Sequence, residues 1–277
     1  MKIDAHVHLL SPRNTFDEPD AFATEGELLA AEMMDPRCRA GWQRANYEEL
    51  LRCMDRSSID KSLVFGFPWR SPERCRYDND YVQECVERSQ GRLIGLAVFQ
   101  PAEGSQSLKE VSQRLQSGFF RGVKIKAQWQ DHSLCDADLW APVLNIVRKA
   151  QGIALVHVEQ INKPPRGNGP YELLEFLRAF PDLRVIAAHF GAMAGMYFPH
   201  GPTRSLLDNV LFDTSLGRCG EVAAAYVQLG LGAKLIFASD FPMHDPAELW
   251  KQLESNLSPE VLKLVAGDNL WSWLKDR

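Results

Sequence analysis

Short runs rich in apolar and β-branched residues recur along the chain, at residues 2–9, 61–67, 93–99, 122–127, 153–158, 184–189, 209–214 and 234–240. Each has the length of a strand. Most are followed by a segment whose apolar residues return every third or fourth position, as in YEELLRCMDRS, NDYVQECVERS, SLKEVSQRLQS, DLWAPVLNIVRKA and YELLEFLRAF, which is the spacing of an amphipathic helix. Strand followed by helix, repeated, predicts a parallel sheet, and eight such units are the number that closes an α/β (β/α)8 TIM barrel with its helices outside. The rival is a doubly wound open sheet. Its dinucleotide-binding form needs a GxGxxG turn after the first strand, and here that strand ends in His6-Val7-His8.

Two connections depart from the regular spacing. Residues 11–45 separate the first strand from its helix, far more chain than such a link normally takes. The pattern therefore predicts one domain over residues 1–277 with an insertion at 11–45 over the mouth of the barrel. It is either a surface excursion with its own short helix around residues 25–34 or a lid. Residues 160–170, QINKPPRGNGP, form a turn-rich loop after the fifth strand and fall on the same face.

A length of 277 residues suits a single barrel of about 250 residues with additions. With 45% hydrophobic and 24% charged residues, the chain has the composition of a globular protein rather than a disordered one. The 31 basic and 36 acidic residues leave a formal charge of −5, so no nucleic-acid partner is expected. MKIDAHVHLL has too short an apolar run for a secretion signal, and no stretch approaches a membrane span. The expectation is a cytoplasmic protein without membrane contact. Cys38, Cys53, Cys75, Cys85, Cys135 and Cys219 form no CxxC pair, which argues for reduced thiols over a zinc knuckle or a disulfide framework.

Side chains alternate along a strand, so His6 and His8 should share one face while Ile3, Ala5 and Val7 take the other. In a barrel the apolar set packs against the helices. The histidines then enter the lumen at the carboxyl end of the strand, where sites in this fold are built. Two imidazoles there suit a borderline divalent ion such as zinc. His157, His189 and Asp240 end the fifth, sixth and eighth strands in the same way. A charged aspartate buried there without a partner is costly, and a shared cation offsets that cost. The alternative is a set of rim residues, each hydrogen-bonded separately.

The segments IDAHVH, VHV, VIAAHFG, IFASDFP and GDNLWSWL resemble the motifs of the amidohydrolase superfamily over nearly the whole chain. The branch resembled contains aminocarboxymuconate-semialdehyde decarboxylases and pyrone-dicarboxylate lactonases. The resemblance implies that His6, His8, His157 and Asp240 are metal ligands and that His189 is the catalytic acid or base, or a further ligand. It also implies zinc first, with manganese and iron known in the wider group, a small-molecule substrate, and a homodimer, as relatives often form. These roles are chemically coherent. An ion with open positions lowers the pKa of a water and polarises a carbonyl or carboxylate oxygen. Asp240 can take a proton from that water, and a histidine such as His189 exchanges protons near neutral pH.

The fourth strand adds a complication. Val123 and Ile125 should face the helices, which turns Lys124 and Lys126 into the lumen, where a lysine needs an anion. Relatives with two metals use a carboxylated lysine at the end of this strand, whereas the branch resembled here commonly has a histidine where Lys126 stands and a single metal. Lys126 is read first as a contact for a substrate carboxylate or oxyanion, then as a bridging ligand of a two-ion site, then as part of a structural ion pair. One ion is expected, two being the alternative. In FGFPWR, Phe67, Trp69 and Arg70 follow the second strand, where Trp69 and Arg70 would hold a planar, acidic ligand or simply pack the loop. Trp129 and His244 occupy comparable positions. His200 reads as a loop histidine, and His132 receives no role.

The function expected is a metal-dependent hydrolase of an amide, ester or lactone bond in a small carboxylated substrate, using metal-activated water. A nonoxidative decarboxylase on the same ligands is the alternative. A nuclease resembling the TatD type would use a glutamate on a central strand, for which Glu159 is placed, but the acidic charge opposes it. A non-catalytic metal-binding protein would lack a ligand or the acid–base residue, and none is missing.

Overall fold

Strands covered by helices on every side must be apolar on both faces, and the eight runs meet that condition. In the computed structural model, which describes residues 1–14, 40–159, 167–198 and 201–275, they become β1 (Ile3–His8), β2 (Lys61–Phe65), β3 (Leu93–Ala97), β4 (Phe120–Ile125), β5 (Ile153–Val156), β6 (Arg184–Ala187), β7 (Val210–Asp213) and β8 (Leu235–Ile236). They pair in parallel in chain order. Ala5 N and His8 N donate to the carbonyls of Phe237 and Phe241 at 3.0 and 2.9 Å, which joins the last strand's extension to the first and closes the ring.

Outside the sheet lie α1 (Tyr47–Arg56), α2 (Pro72–Arg88), α3 (Ser105–Gln116), α4 (Ala137–Lys149), α5 (Pro170–Ala179), α6 (Cys219–Gln228) and α7 (Pro246–Asn256). Several begin where the sequence supplies a cap. Asn46 accepts from Glu49 N at α1, and Ser71 accepts from Arg74 N at α2 with Pro72 in the first turn, satisfying amide donors the helix itself leaves free. The unit between β6 and β7 departs from the pattern. His189, Phe190, Ala192 and Met193 have positive φ, a conformation through which a right-handed helix cannot propagate. Short turns at His189–Ala192, Ala194–Tyr197 and Gly201–Leu207 replace the long helix there.

Two buried layers follow from strand alternation. Val64, Val123, Val156, Val185 and Phe212 pack against helix residues such as Leu50, Val143, Leu173 and Tyr226. Leu63, Phe65, Leu155, Ile186, Leu211 and Ile236 fill the lumen. The alternation expected for β1 holds only at its end, where Val7 joins the outer layer. Ile3 and Ala5 instead belong to the lumen cluster, because the pairing of β1 with β2 slips between Asp4 and Val7. Such a bulge re-aims side chains. It buries Asp4, which accepts from Ser239 N at 2.9 Å, Ser239 Oγ at 2.6 Å and His6 N at 3.2 Å and so ties β1 to the chain after β8.

Of the insertion predicted at 11–45, residues 15–39 lie outside the described residues. Its ends are fixed by Leu10 N bonded to Ala45 O at 2.8 Å and by Ser11 and Asn14 bonded to Asp78. Residues 160–166 of the second loop, Cys38 and His200 also fall outside them. Cys53, Cys75, Cys85 and Cys219 are buried free thiols and Cys135 is exposed. No described helix is long and apolar enough to cross a membrane.

Candidate metal centre

The residues that end β1, β5 and β6, and the chain following β8, meet at the carboxyl-terminal mouth of the barrel. His6 Nδ1 lies 2.8 Å from Asp213 Oδ2. Beside a carboxylate that nitrogen carries the proton and donates it, which directs the Nε2 lone pair into the mouth. There Nε2 stands 3.2 Å from Asp240 Oδ1 and 3.0 Å from Lys124 Nζ. His8 Nε2 is 3.4 Å from the same oxygen of Asp240. His6, His189 and Asp240 each offer a ligand atom within 4.8 Å of the others.

His189 is held from several sides. Its backbone N donates to Asp213 Oδ1 at 2.8 Å, and its Nδ1 lies 2.7 Å from the carbonyl of Ser215. A carbonyl only accepts, so Nδ1 is the protonated nitrogen and Nε2 is basic and faces inward. His157 Nδ1 lies 3.2 Å from that Nε2. Its own Nε2 is 3.0 Å from Glu159 Oε2 without the geometry of a hydrogen bond, and is left without a hydrogen-bond partner. Asp240 and His189 both follow their strands with positive φ, 57° and 53°, uncommon for residues other than glycine and concentrated at functional sites.

The electrostatics follow from burial. Burial lowers the pKa of His6, brings His8 down to about 3 and holds His157 well below the usual imidazole range, so these rings are neutral and present lone pairs. Burial brings Lys124 down to about 7 against the pull of Asp240 and Asp213. Burial alone would raise Asp213, but His6 and the bond from Ser215 hold it at about 2. Asp240 is likewise depressed despite burial, by His6 and His8.

These residues fit a divalent ion. A neutral His6 Nε2 and a carboxylate oxygen of Asp240, both lone-pair donors, face each other at 3.2 Å, with Lys124 Nζ 3.0 Å from the same His6 nitrogen; a divalent ion between the two donors would offset their repulsion. Imidazole and carboxylate are the donor set for borderline and harder divalent metals. The buried His157 Nε2 and His8 Nδ1 lack hydrogen-bond partners among the described residues.

A cleft of about 440 Å³ opens beside this cluster, walled by Lys126, His157, Glu159, His189, Asp240 and His244, with Val158, Met193 and Leu216 supplying apolar surface. Lys126 lies over the ring of Trp129, 3.0 Å from its centroid. Trp69 and Arg70 do not reach the cleft wall. Trp69 is fully buried against Phe67 with its indole N–H on Asp78 at 2.6 Å, and Arg70 pairs with Asp131. His132 bonds Gln100 at 3.2 Å, away from the cluster. Sequence reasoning passed over Asp213, although it ends the apolar run VLFD in the way that Asp240 ends its own. It also passed over Asp78, which accepts from Ser11 N, Asn14 Nδ2, Phe67 N and Trp69 Nε1 and carries no motif.

A family model described as amidohydrolase matches residues 3–269. No curated protein matches the sequence. Among solved structures, 5-carboxyvanillate decarboxylase from Novosphingobium aromaticivorans, complexed with manganese and 4-hydroxy-3-methoxy-5-nitrobenzoic acid, is similar at TM-score 0.81 and 15% identity over 99% of this chain and 96% of that one. 2,6-Dihydroxybenzoate decarboxylase from Rhizobium is similar at 0.72 and 14%, over 99% and 98%. A probable 2-pyrone-4,6-dicarboxylic acid hydrolase from Acinetobacter baumannii, with citric acid bound, is similar at 0.68 and 15%, over 99% of both chains.

Proposed function

Because the chain belongs to the amidohydrolase family, we propose that it is a metal-dependent enzyme that hydrolyses an amide, ester or lactone bond in a small carboxylated substrate, its ion held by His6, His8, His157 and Asp240. The observation that carries this reading is the approach of His6 Nε2 and Asp240 Oδ1 to 3.2 Å, two lone-pair donors placed to hold one cation between them. A structural neighbour was solved with manganese, which supports a divalent ion in this fold. Zinc is our first assignment here because three imidazoles dominate the donor set. A bound ion would make a water more acidic and polarise a substrate carbonyl or carboxylate.

The chain's own residues supply the remainder. Lys126 on the cleft wall binds the substrate carboxylate. Its charge orients that group toward the cluster. His189, whose inward Nε2 is basic, accepts a proton as water attacks and returns it to the leaving oxygen or nitrogen. Asp240 shares the first of these steps. Val158, Met193 and Leu216 limit water around the reacting bond.

Decarboxylation is the second reading, favoured by structural neighbours whose names are 5-carboxyvanillate and 2,6-dihydroxybenzoate decarboxylase. In that reaction the protonated His189 would deliver its proton to the carbon from which carbon dioxide leaves. Incubating the metal-loaded protein with a panel of lactones and hydroxybenzoates separates the two readings. Ring opening with no gas supports hydrolysis, and carbon dioxide released in step with substrate loss supports decarboxylation. Turnover of neither class would remove the carboxylated substrate from the proposal.

A further inference from the structure

At the opposite end of the barrel, where the strands begin, a second cavity of about 500 Å³ is walled by Lys61, Arg121 and Lys275 over an apolar floor that includes Leu93, Trp271 and Leu274. Lys61 is the first residue of β2 and Arg121 the second of β4, whereas Trp271, Leu274 and Lys275 come from the helix Asn269–Leu274 and its cap. From this arrangement we infer that the lower mouth is a ligand site for a small organic carboxylate with an apolar or aromatic body.

The cations of this wall have no ion-pair partner among the described residues. Several arginines elsewhere on this protein pair with acids, as in Arg76 with Glu103, Arg92 with Asp55 and Arg114 with Glu110. Among the described residues, no carboxylate lies within ion-pair distance of Lys61, Arg121 or Lys275. Lys61 donates to the carbonyl of Gly91, a neutral partner. Among the described residues Glu87 is the one carboxylate on the wall, and it accepts from Gln83 Nε2 at 3.0 Å.

Cations gathered around a partly open, partly apolar cavity raise its affinity for anions. The guanidinium of Arg121 offers a fork matched to a carboxylate, and the Trp271 ring, 6.0 Å from Lys61 Nζ, supplies a flat apolar face for the body of the ligand. This site shares no residue with the upper cleft and does not depend on the proposed reaction.

Titration calorimetry of the metal-loaded protein with benzoate, and with benzyl alcohol as its uncharged counterpart, tests the inference. The expected result is a benzoate-binding event that survives Asp240→Asn, is retained in Arg121→Lys and weakens at least ~tenfold in Arg121→Met, in line with losing one charge-assisted contact. Benzyl alcohol should not produce it. Lys61→Met provides an independent variant where Arg121→Met fails to fold. Binding that disappears with Asp240→Asn and ignores Arg121→Met would assign all benzoate to the upper cleft and overturn the inference, as would the absence of any benzoate binding to Asp240→Asn.

Discussion

His6 Nδ1 and Asp213 Oδ2 lie 2.8 Å apart, both fully buried, and this contact decides which nitrogen of His6 faces the mouth of the barrel. A carboxylate behind a ligating histidine fixes its tautomer and raises its basicity, and loss of such a partner typically lowers metal affinity by about 10- to 100-fold. Asp213→Asn should therefore weaken metal binding by that order in competition with a chelating dye, with the fold intact by circular dichroism. Unchanged affinity would mean that His6 is not a ligand.

His157 and His189 are neighbours, 3.2 Å apart through Nδ1 and Nε2, but they have different tasks in the proposed reaction. His157→Asn should lower the metal content, whereas His189→Asn should retain the metal and lose turnover, since a proton-transfer group contributes about 10²- to 10⁴-fold. Elemental analysis beside single-turnover rates checks both. Metal lost from His189→Asn and kept in His157→Asn would exchange the two roles, a result that the grouping of His6, His189 and Asp240 makes informative.

Lys126 stands on the cleft wall beside the cluster. Removing its charge in Lys126→Met should raise KM for carboxylated substrates by about 10-fold or more, the worth of a charge-assisted contact, with a much smaller effect on neutral analogues. Steady-state kinetics on a matched acid and amide reads the difference. Equal effects on both would withdraw the carboxylate contact.

Gly66 passes so close to α2 that a Cβ placed there would lie 2.2 Å from the Cβ of Asp78. Overpacking of this kind costs about 1–3 kcal/mol. It would also push on the carboxylate that joins the Ser11–Asn14 segment to Phe67 and Trp69. Gly66→Ala should lower Tm by several degrees in a thermal melt. An unchanged Tm would show that Asp78 is free to move.

The barrel was legible because its signal is repeated. Eight apolar runs, most followed by amphipathic helices, leave little else to build, and the polar residue closing each of several runs marks the mouth. Legibility failed where tertiary pairing overrides local pattern. The slip between Asp4 and Val7 is set by the register of β1 against β2, so strict alternation misassigned Ile3 and Ala5 while still placing His6 and His8 inward. The sequence marks no amphipathic run between β6 and β7, and there the left-handed turn at His189 and Phe190 opens a series of short turns. Trp69 looked like a binding residue from its place after β2, yet a hydrogen bond to Asp78, nine residues on, draws it into the core. Asp213 was within reach of the same rule that found Asp240, whereas nothing in the local sequence marks Asp78 as a hub.

Metal content set against activity tests the central claim most directly. Protein prepared without a metal-affinity tag should carry one equivalent of a divalent ion per chain by elemental analysis. Chelation should abolish turnover, re-addition should restore it, and Asp240→Ala should hold neither metal nor activity. Full turnover in metal-stripped protein, or wild-type metal content in Asp240→Ala, would contradict the account.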